Sequence, residues 1–483
     1  MSGVTDRRDI LLLLTDQERY DVSAADGPAV DTPAMDRLAR EGVRFEDAYT
    51  PIGICSSARA SLLTGLYPHN HGMLNNCHEP DAIRPNLPED HVTFGELLAD
   101  AGYANSYAGK WHVGRDQRPE DFGFETLARE DTTEADGGFA AHQRAHGVDP
   151  DGIELEDEIY AEYAGEDLLV SATTPVPKEA TLTYYLAEVT VDRLESAASG
   201  DEPFFHRTDF PGPHHPYVVP EPYASMYDPD EIPRWGNYAE TFDGKPYVHE
   251  QHLAYRGVEG FDWETWARAI SHYFGFVTFI DEQIGRVLDA MDRLGLDEDT
   301  VVVHSADHGD FTGSHRQFNK GPLMYEEVYH IPLVVRWPDA ADAGRTVEEF
   351  VGLHDLMPTF CALAGVDSPS SVDGRSLVPL LTGDAPDDWR ERLVAEYHGE
   401  EFGLYSQRMV RAGDYKLVYN AFDTDELYDL AEDPHELRNL VDHPDYREVY
   451  RELRSELGEW MDRTDDPIGP WTRRVLDKSA DSQ

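Results

Sequence analysis

The sequence predicts an α/β fold: a large, mainly parallel sheet flanked by helices, with a smaller C-terminal antiparallel sheet subdomain. Three observations carry this. Residues 10–14 are an unbroken aliphatic run that ends in Thr15-Asp16-Gln17, as in a strand buried on both faces that opens into a polar loop. Residues 268–294 repeat apolar side chains at helical spacing, among them Ile270, Tyr273, Phe274, Val277, Ile280 and Ile284. Gly295 then stops the pattern and residues 300–305 read as another strand. Strand, helix and strand in that order imply parallel neighbours covered by helices. Finally, beyond a linker-like APDDWRER after Gly383, short strand-like runs at 393–397, 408–410, 415–419 and 426–430 alternate with turns, and 446–461 offers an amphipathic helix to cover them. The expected division is an α/β domain over 1–385 and a C-terminal subdomain over 386–483.

The remaining elements follow in chain order. Residues 55–64 suit a short helix halted by Gly65 and Pro68, with Cys55 at or just before its N-terminus. Unpaired N–H groups and the positive dipole end there favour anions and lower a thiol pKa. Residues 126–174 are acidic with little periodicity, and 217–263 are rich in Pro, Tyr and Trp. Both read as loops or insertions over the sheet face.

Composition excludes several roles. The 483 residues carry 40 Lys plus Arg against 95 Asp plus Glu, a net charge of -55, yet 40% are hydrophobic and 11% aromatic, which disorder does not explain. So negative a surface repels phosphate backbones and anionic lipid heads, so neither nucleic acid nor membrane is an expected partner. Its self-repulsion is relieved where salt shortens the Debye length to about 3 Å, which points to a high-salt (halophilic) cytoplasm. Three cysteines offer no disulfide framework. A five-residue apolar run near the start is too short for a signal-peptide core, and no stretch approaches about 18 apolar residues, so a soluble, cytoplasmic protein is expected.

In open α/β sheets, sites form beyond the carboxyl ends of strands, where Asp16, Gln17, Asp307 and His308 all fall. Mainly oxygen donors with one imidazole suit Ca²⁺, Mg²⁺ or Mn²⁺. The chain has only six lysines, and Lys110 in GKWH and Lys320 in NKGP are each flanked by glycine, as a flexible point charge beside an anion would be.

Cys55-Ser56-Ser57-Ala58-Arg59-Ala60-Ser61-Leu62-Leu63-Thr64-Gly65 resembles the signature of the sulfatase family, whose cysteine is oxidised to formylglycine. The resemblance continues through Thr15-Asp16-Gln17, GKWHVG at 109–114, PHHP at 213–216, ADHGD at 306–310 and NKGP at 319–322. It goes on in DLMPTFCALAG at 355–365, DGRSLVPLL at 373–381 and ELYDLAEDPHELRNL at 426–440. It implies an alkaline-phosphatase-like α/β fold and a metal-dependent sulfuric ester hydrolase, acting on a small-molecule or glycan sulfate ester. The pattern departs at Ser57, where the family has Pro or sometimes Ala, which bears on recognition by a formylglycine-generating enzyme.

By this resemblance the metal ligands are Asp16, Gln17, Cys55, Asp307 and His308, holding Ca²⁺, with Mn²⁺ or Mg²⁺ open. One hydroxyl of a gem-diol at position 55 attacks sulfur; Arg59 and Lys110 stabilise the diol and His112 takes a proton. Lys320 and His214 stand on the leaving side, His215 being the alternative to His214, and Asn76 lies near the transferred group. Asp310 and His315 are expected to support the site. A phosphodiester or phosphonate monoester hydrolase is the alternative reaction, and a catalytically silent anion-binding protein the alternative of another class.

Overall fold

The computed structural model describes residues 7–24, 27–129, 138–163, 165–400 and 403–480. Its central strand is Asp9–Asp16, buried along almost its whole length. Successive side chains of a strand point to opposite faces, so the aliphatic run feeds two cores. Ile10, Leu12 and Leu14 join Val301 and Val303 against Ala58 and Leu62. Leu11 and Leu13 join Val302 against Ile280, Ile284 and Leu288. Each such leucine, fully buried, contributes roughly 1.5–3 kcal/mol.

Eight strands make the large sheet. From edge to edge they are Arg345–Val347, Val43–Phe45, Leu333–Arg336, Thr300–Ala306, Asp9–Asp16, Phe204–Pro213, Ala104–Gly109 and Glu125–Arg129. Leu333–Arg336 runs antiparallel to both neighbours, and the other pairings are parallel. The mainly parallel sheet is therefore as expected, and its central strands end together on one side.

The long helix spans Trp263–Leu294, starting five residues before the periodic stretch because the Asp262 side chain caps it by accepting from the Thr265 amide. Gly295, at φ 70°, ends it in the left-handed conformation that glycine adopts without strain. Every apolar position picked out by spacing is buried. Cys55–Thr64 is a helix with Cys55 as its first residue and Gly65 at φ 71° as its cap.

The C-terminal sheet, Arg392–Glu400, Gly403–Ala412, Tyr415–Asn420 and Glu426–Asp429, is antiparallel throughout. Helix Arg447–Arg463 covers one face, with Leu453, Leu457 and Trp460 against Val394, Val410 and Leu417. The other face sends Leu393, Met409 and Tyr428 onto Tyr49, Phe311 and Tyr325. A further helix, Gly469–Ala480, follows.

The loop reading of the two irregular stretches is corrected. Glu156–Tyr163, Glu166–Thr174 and Tyr217–Pro220 form a three-stranded sheet, and Val248–Tyr255 is a helix. The strand pattern is short: Ile159 and Ala161 are buried while Tyr160 and Glu162 face solvent, too brief an alternation, with too small an inward residue, to stand out among acidic neighbours. Residues 130–137 and 164 of the first stretch lie outside the described residues. Among the described residues, no helix is long and apolar enough to cross a membrane.

Candidate active site

The carboxyl ends of the central strands deliver the polar groups. Asp9–Asp16 ends in Asp16, Thr300–Ala306 runs into Asp307 and His308, Ala104–Gly109 into Lys110, and Phe204–Pro213 carries Asp209 and leads to His214. Gly109, at φ 114°, allows the last crossing: a Cβ there would lie 1.9 Å from the Asp209 carbonyl oxygen, so only glycine lets the two strand ends meet.

Over this rim sits the first turn of the Cys55 helix. Ligand atoms of Asp16, Cys55, Asp307 and His308 all lie within 4.8 Å of one another, and all four residues are buried. Cys55 Sγ is 3.2 Å from His308 Nε2 and 3.8 Å from Asp16 Oδ1. His308 Nδ1 donates to the Gly309 carbonyl at 2.9 Å, which turns the Nε2 lone pair toward the carboxylates, the tautomer a metal-binding imidazole needs. Two buried carboxylates, an outward lone pair and a sulfur, converging on one point, form a donor set that fits a divalent cation.

Arg59, with no exposed surface, organises the carboxylates from behind: Nε bonds Asp307 at 2.8 Å, Nη1 bonds Asp209 at 2.6 Å and Nη2 bonds Asp16 at 3.1 Å. Lys110 Nζ lies 2.5 Å from Asp16. Burial and the Cys55 sulfur push the Asp16 carboxyl up, but Lys110, His214 and Arg59 outweigh them and hold it below the ordinary carboxylate range. Burial and Asp16 raise Asp307, a like-charge conflict that a cation would relieve. Burial would raise the Cys55 thiol too, yet Lys320, Lys110, His308 and a hydrogen bond from His112 hold it well below its ordinary value.

Lys320 and His214 approach from the other side. Lys320 Nζ donates to Gln17 Oε1 at 2.9 Å and lies 3.3 Å from His214 Nε2, while His214 Nδ1 donates to the His215 carbonyl at 2.6 Å. Burial, Lys320 and Lys110 lower the His214 pKa. His112 sits in a left-handed conformation, φ 57°, with Nε2 2.5 Å from His78 Nδ1; burial brings its pKa down to about 4. These groups line a cavity of about 740 Å³ together with His215 and Asn76.

The residues expected from the sequence, His315 excepted, therefore meet at this rim, though not all with free hands. The Gln17 amide donates to Asp310 while its oxygen accepts from Lys320. Asn76 accepts from the Ser56 amide at 3.2 Å and donates to Glu400. Asp310 also accepts from Tyr217 at 2.7 Å and from the Thr312 amide at 2.8 Å, so its oxygens are spent on support. His315 lies away from the cavity, bonded to Glu240 at 2.8 Å and stacked on Tyr325. Sequence reasoning missed Asp209 and its partner Arg207, whose Nε and Nη2 each donate to it at 2.6 Å. The available signal was a charged pair inside an otherwise strand-like FFHRTDF.

A family model described as Sulfatase matches residues 8–366, and one described as N-sulphoglucosamine sulphohydrolase, C-terminal, matches 313–463. The chain is 30% identical to the uncharacterized sulfatase YidJ of Escherichia coli, over 98% of this chain and 91% of that one. It is 27% identical to an N-acetylglucosamine-6-O-sulfatase of Bacteroides thetaiotaomicron, over 94% and 86%. Among solved structures, the phosphonate monoester hydrolase of Agrobacterium radiobacter superposes with a TM-score of 0.81 at 27% identity, covering 95% of this chain and 96% of that one.

Proposed function

The chain belongs to the sulfatase family and hydrolyses sulfate esters, and we propose that it does so with Cys55 as the precursor of its nucleophile. The carrying observation is the convergence of Cys55 with Asp16, Asp307 and His308, with Lys320 and His214 facing them. In this reading Asp16, Gln17, Cys55, Asp307 and His308 hold a divalent cation, Ca²⁺ by the oxygen-rich donor set. The cation supplies Lewis acidity, and formylglycine at position 55 supplies a renewable hydroxyl nucleophile.

The chain's own residues do the rest. Arg59 and Lys110 fix the carboxylates and balance their charge. His112, neutral near pH 7 because burial has brought it down to about 4, accepts a proton from position 55. Lys320 binds a sulfate oxygen. His214 hydrogen-bonds or protonates the departing oxygen through Nε2, the nitrogen that faces Lys320; burial, Lys320 and Lys110 lower its pKa, so once protonated it is a strong acid. Asn76 borders the transferred group.

The remaining parts of the proposal concern setting. A formylglycine-generating enzyme acts on Cys55 despite Ser57. The net charge of -55 and three free, buried cysteines support a salt-rich, reducing cytoplasm. The main domain ends near residue 385. The substrate is a small-molecule or glycan ester, supported by the Bacteroides relative named for N-acetylglucosamine-6-O-sulfate.

Mass spectrometry of the peptide spanning Cys55, on protein from the native host, tests the central point. Conversion to formylglycine is expected, and intact cysteine throughout would overturn it. A second reading, a phosphonate monoester hydrolase, is favoured by the likeness to the Agrobacterium enzyme. Rates on matched aryl sulfate and aryl phosphonate esters separate the two, with sulfate expected to be faster.

A further inference from the structure

The cavity is basic in an acidic protein. The chain has more than twice as many acidic as basic residues, yet of the cavity's nineteen lining residues six are Lys or Arg and two, Asp116 and Glu400, are acidic. Lys110 and Lys320 are accounted for by the reacting centre. Arg115 and Arg118 are not: both are exposed, and neither makes an ion pair among the described residues.

These two arginines stand on a fixed platform. Gln117, between them, donates to the Leu87 carbonyl at 2.8 Å and accepts from the Leu87 amide at 2.7 Å. The Arg115 amide donates to the Pro85 carbonyl at 2.7 Å, and the Asp116 amide donates to Asn86 at 3.0 Å. The Arg115 guanidinium is aimed by two carbonyls, those of Cys77 at 2.9 Å and Glu79 at 2.5 Å, which orient it without neutralising it. The Asp116 carboxylate accepts from Asn86 Nδ2 at 3.2 Å.

Cavity size points the same way. About 740 Å³ is within the roughly 300–1,000 Å³ typical of sites for whole small molecules and far exceeds what one sulfate group fills. The alcohol half of the substrate must occupy the mouth, where the planar, permanently charged forks of arginine match carboxylate and sulfate oxygens.

We propose that Arg115 and Arg118 bind a second anionic group on the alcohol half of the substrate, a carboxylate or another sulfate. The preferred substrate class is then the sulfate ester of an anionic alcohol, such as an acidic or multiply sulfated saccharide. This rests on the sulfatase reading and adds specificity to it.

The test uses an aryl sulfate bearing a ring carboxymethyl group, its methyl ester, and the corresponding aryl sulfate with a second sulfate. These differ in charge while keeping the reacting ester. With the full-length protein at fixed ionic strength, kcat/KM for the acid is expected to exceed that for the methyl ester by roughly tenfold or more. Arg118→Gln is expected to collapse that ratio toward one, with Arg115→Gln acting in the same direction. Preference for the acid points to a carboxylate and preference for the disulfate to a second sulfate. Equal rates on all three, or a ratio untouched by Arg118→Gln, would overturn the proposal. If no aryl sulfate is turned over, the sulfatase reading fails separately. Calorimetric titration with the phenol acid and its methyl ester then decides the subsite: acid-selective binding lost in Arg118→Gln supports it, and equal binding sinks it.

Discussion

Two of the buried charge clusters among the described residues make a telling pair, because only one of them looks like chemistry. At the strand ends, Asp16, Asp307, His308 and Cys55 turn their donor atoms toward one point beside a cavity. Beneath the C-terminal sheet, Lys416 Nζ pairs with Glu326 at 3.0 Å and Glu436 at 2.7 Å. There, too, Arg411 donates to Tyr49 at 2.9 Å and Tyr49 to Glu326 at 2.6 Å. The second cluster is largely buried too and as strongly perturbed: Lys416, Arg411 and His330 hold Glu326 down to about 2 despite burial, while burial lifts Glu436 to about 7. Burial and shifted pKa values therefore do not mark the site. What marks it is that the strand-end donor atoms converge on one point beside a cavity of about 740 Å³ into which Cys55, Lys110, His214 and Lys320 open, whereas the charges under the C-terminal sheet are paired with one another.

The sharpest way to break that distinction is to delete one member of each cluster. Cys55→Ala is expected to lower turnover on the order of 10⁴-fold or more with the melting temperature nearly unchanged; a variant keeping a tenth of the activity would remove Cys55 from the centre of the mechanism. His214→Ala is expected to cost roughly 10²-fold to 10⁴-fold in kcat on esters of poor leaving groups. The cost should shrink on nitrophenyl esters, whose oxygen needs no proton to depart. An equal loss on both would assign His214 to binding instead.

Lys416→Met should do the opposite. It strands Glu436 in the interior and leaves Glu326 with Arg411 alone of its two close cations, so denaturant unfolding is expected to show a loss of about 3–5 kcal/mol, while kcat/KM of the protein still folded stays at the wild-type level. A fall in turnover matching that of His214→Ala, with stability intact, would show that the two clusters are not separate in kind.

The same contrast explains what was legible in the sequence. The central strand and the long helix could be read because burial on every face, or on one helical stripe, leaves a periodic trace. The strand-end residues could be read because chemistry concentrates unusual types there, such as a rare lysine beside a glycine. Asp209 was hidden because its role is to neutralise Arg59 and Arg207 from inside a strand, a job that has no motif. The three-stranded sheet at residues 156–220 was hidden because its outward face is acidic, like the rest of the surface. The seam under the C-terminal sheet was hidden for a third reason: its ion pairs join Glu326 to Lys416 and Arg411, residues whose meeting depends on the packing of the C-terminal sheet against the short Glu326–Tyr329 helix and on nothing local.

The mildest expected effect belongs to the edge of that seam. His69, on the short Pro68–His71 helix, bonds Glu396 through Nδ1 at 2.5 Å and the Thr464 carbonyl through Nε2 at 2.9 Å, tying the segment after the Cys55 helix to the C-terminal sheet. Burial opposes its charge, but Glu396 and the Thr464 carbonyl prevail and raise it to about 9. The other groups around Glu396 are His398, which burial and Arg408 keep low, and Arg408 itself, committed to Asp466 at 2.8 Å. His71, also near Glu396, is brought down to about 3 by burial, so among these imidazoles His69 is the one whose pKa folding raises. Its folded pKa is above the unfolded value of about 6.5, so its contribution is complete below pH 6.5 and is lost as pH rises through 9. Urea unfolding of the wild type at pH 6 and pH 9.5 should differ through this group by on the order of 1–3 kcal/mol, and His69→Gln should remove that part of the difference. If His69→Gln shows the same pH dependence as the wild type, the His69–Glu396 pair carries no net charge in the folded protein. The tie between the two regions would then rest on packing of Tyr67 and His69 against Trp460 alone.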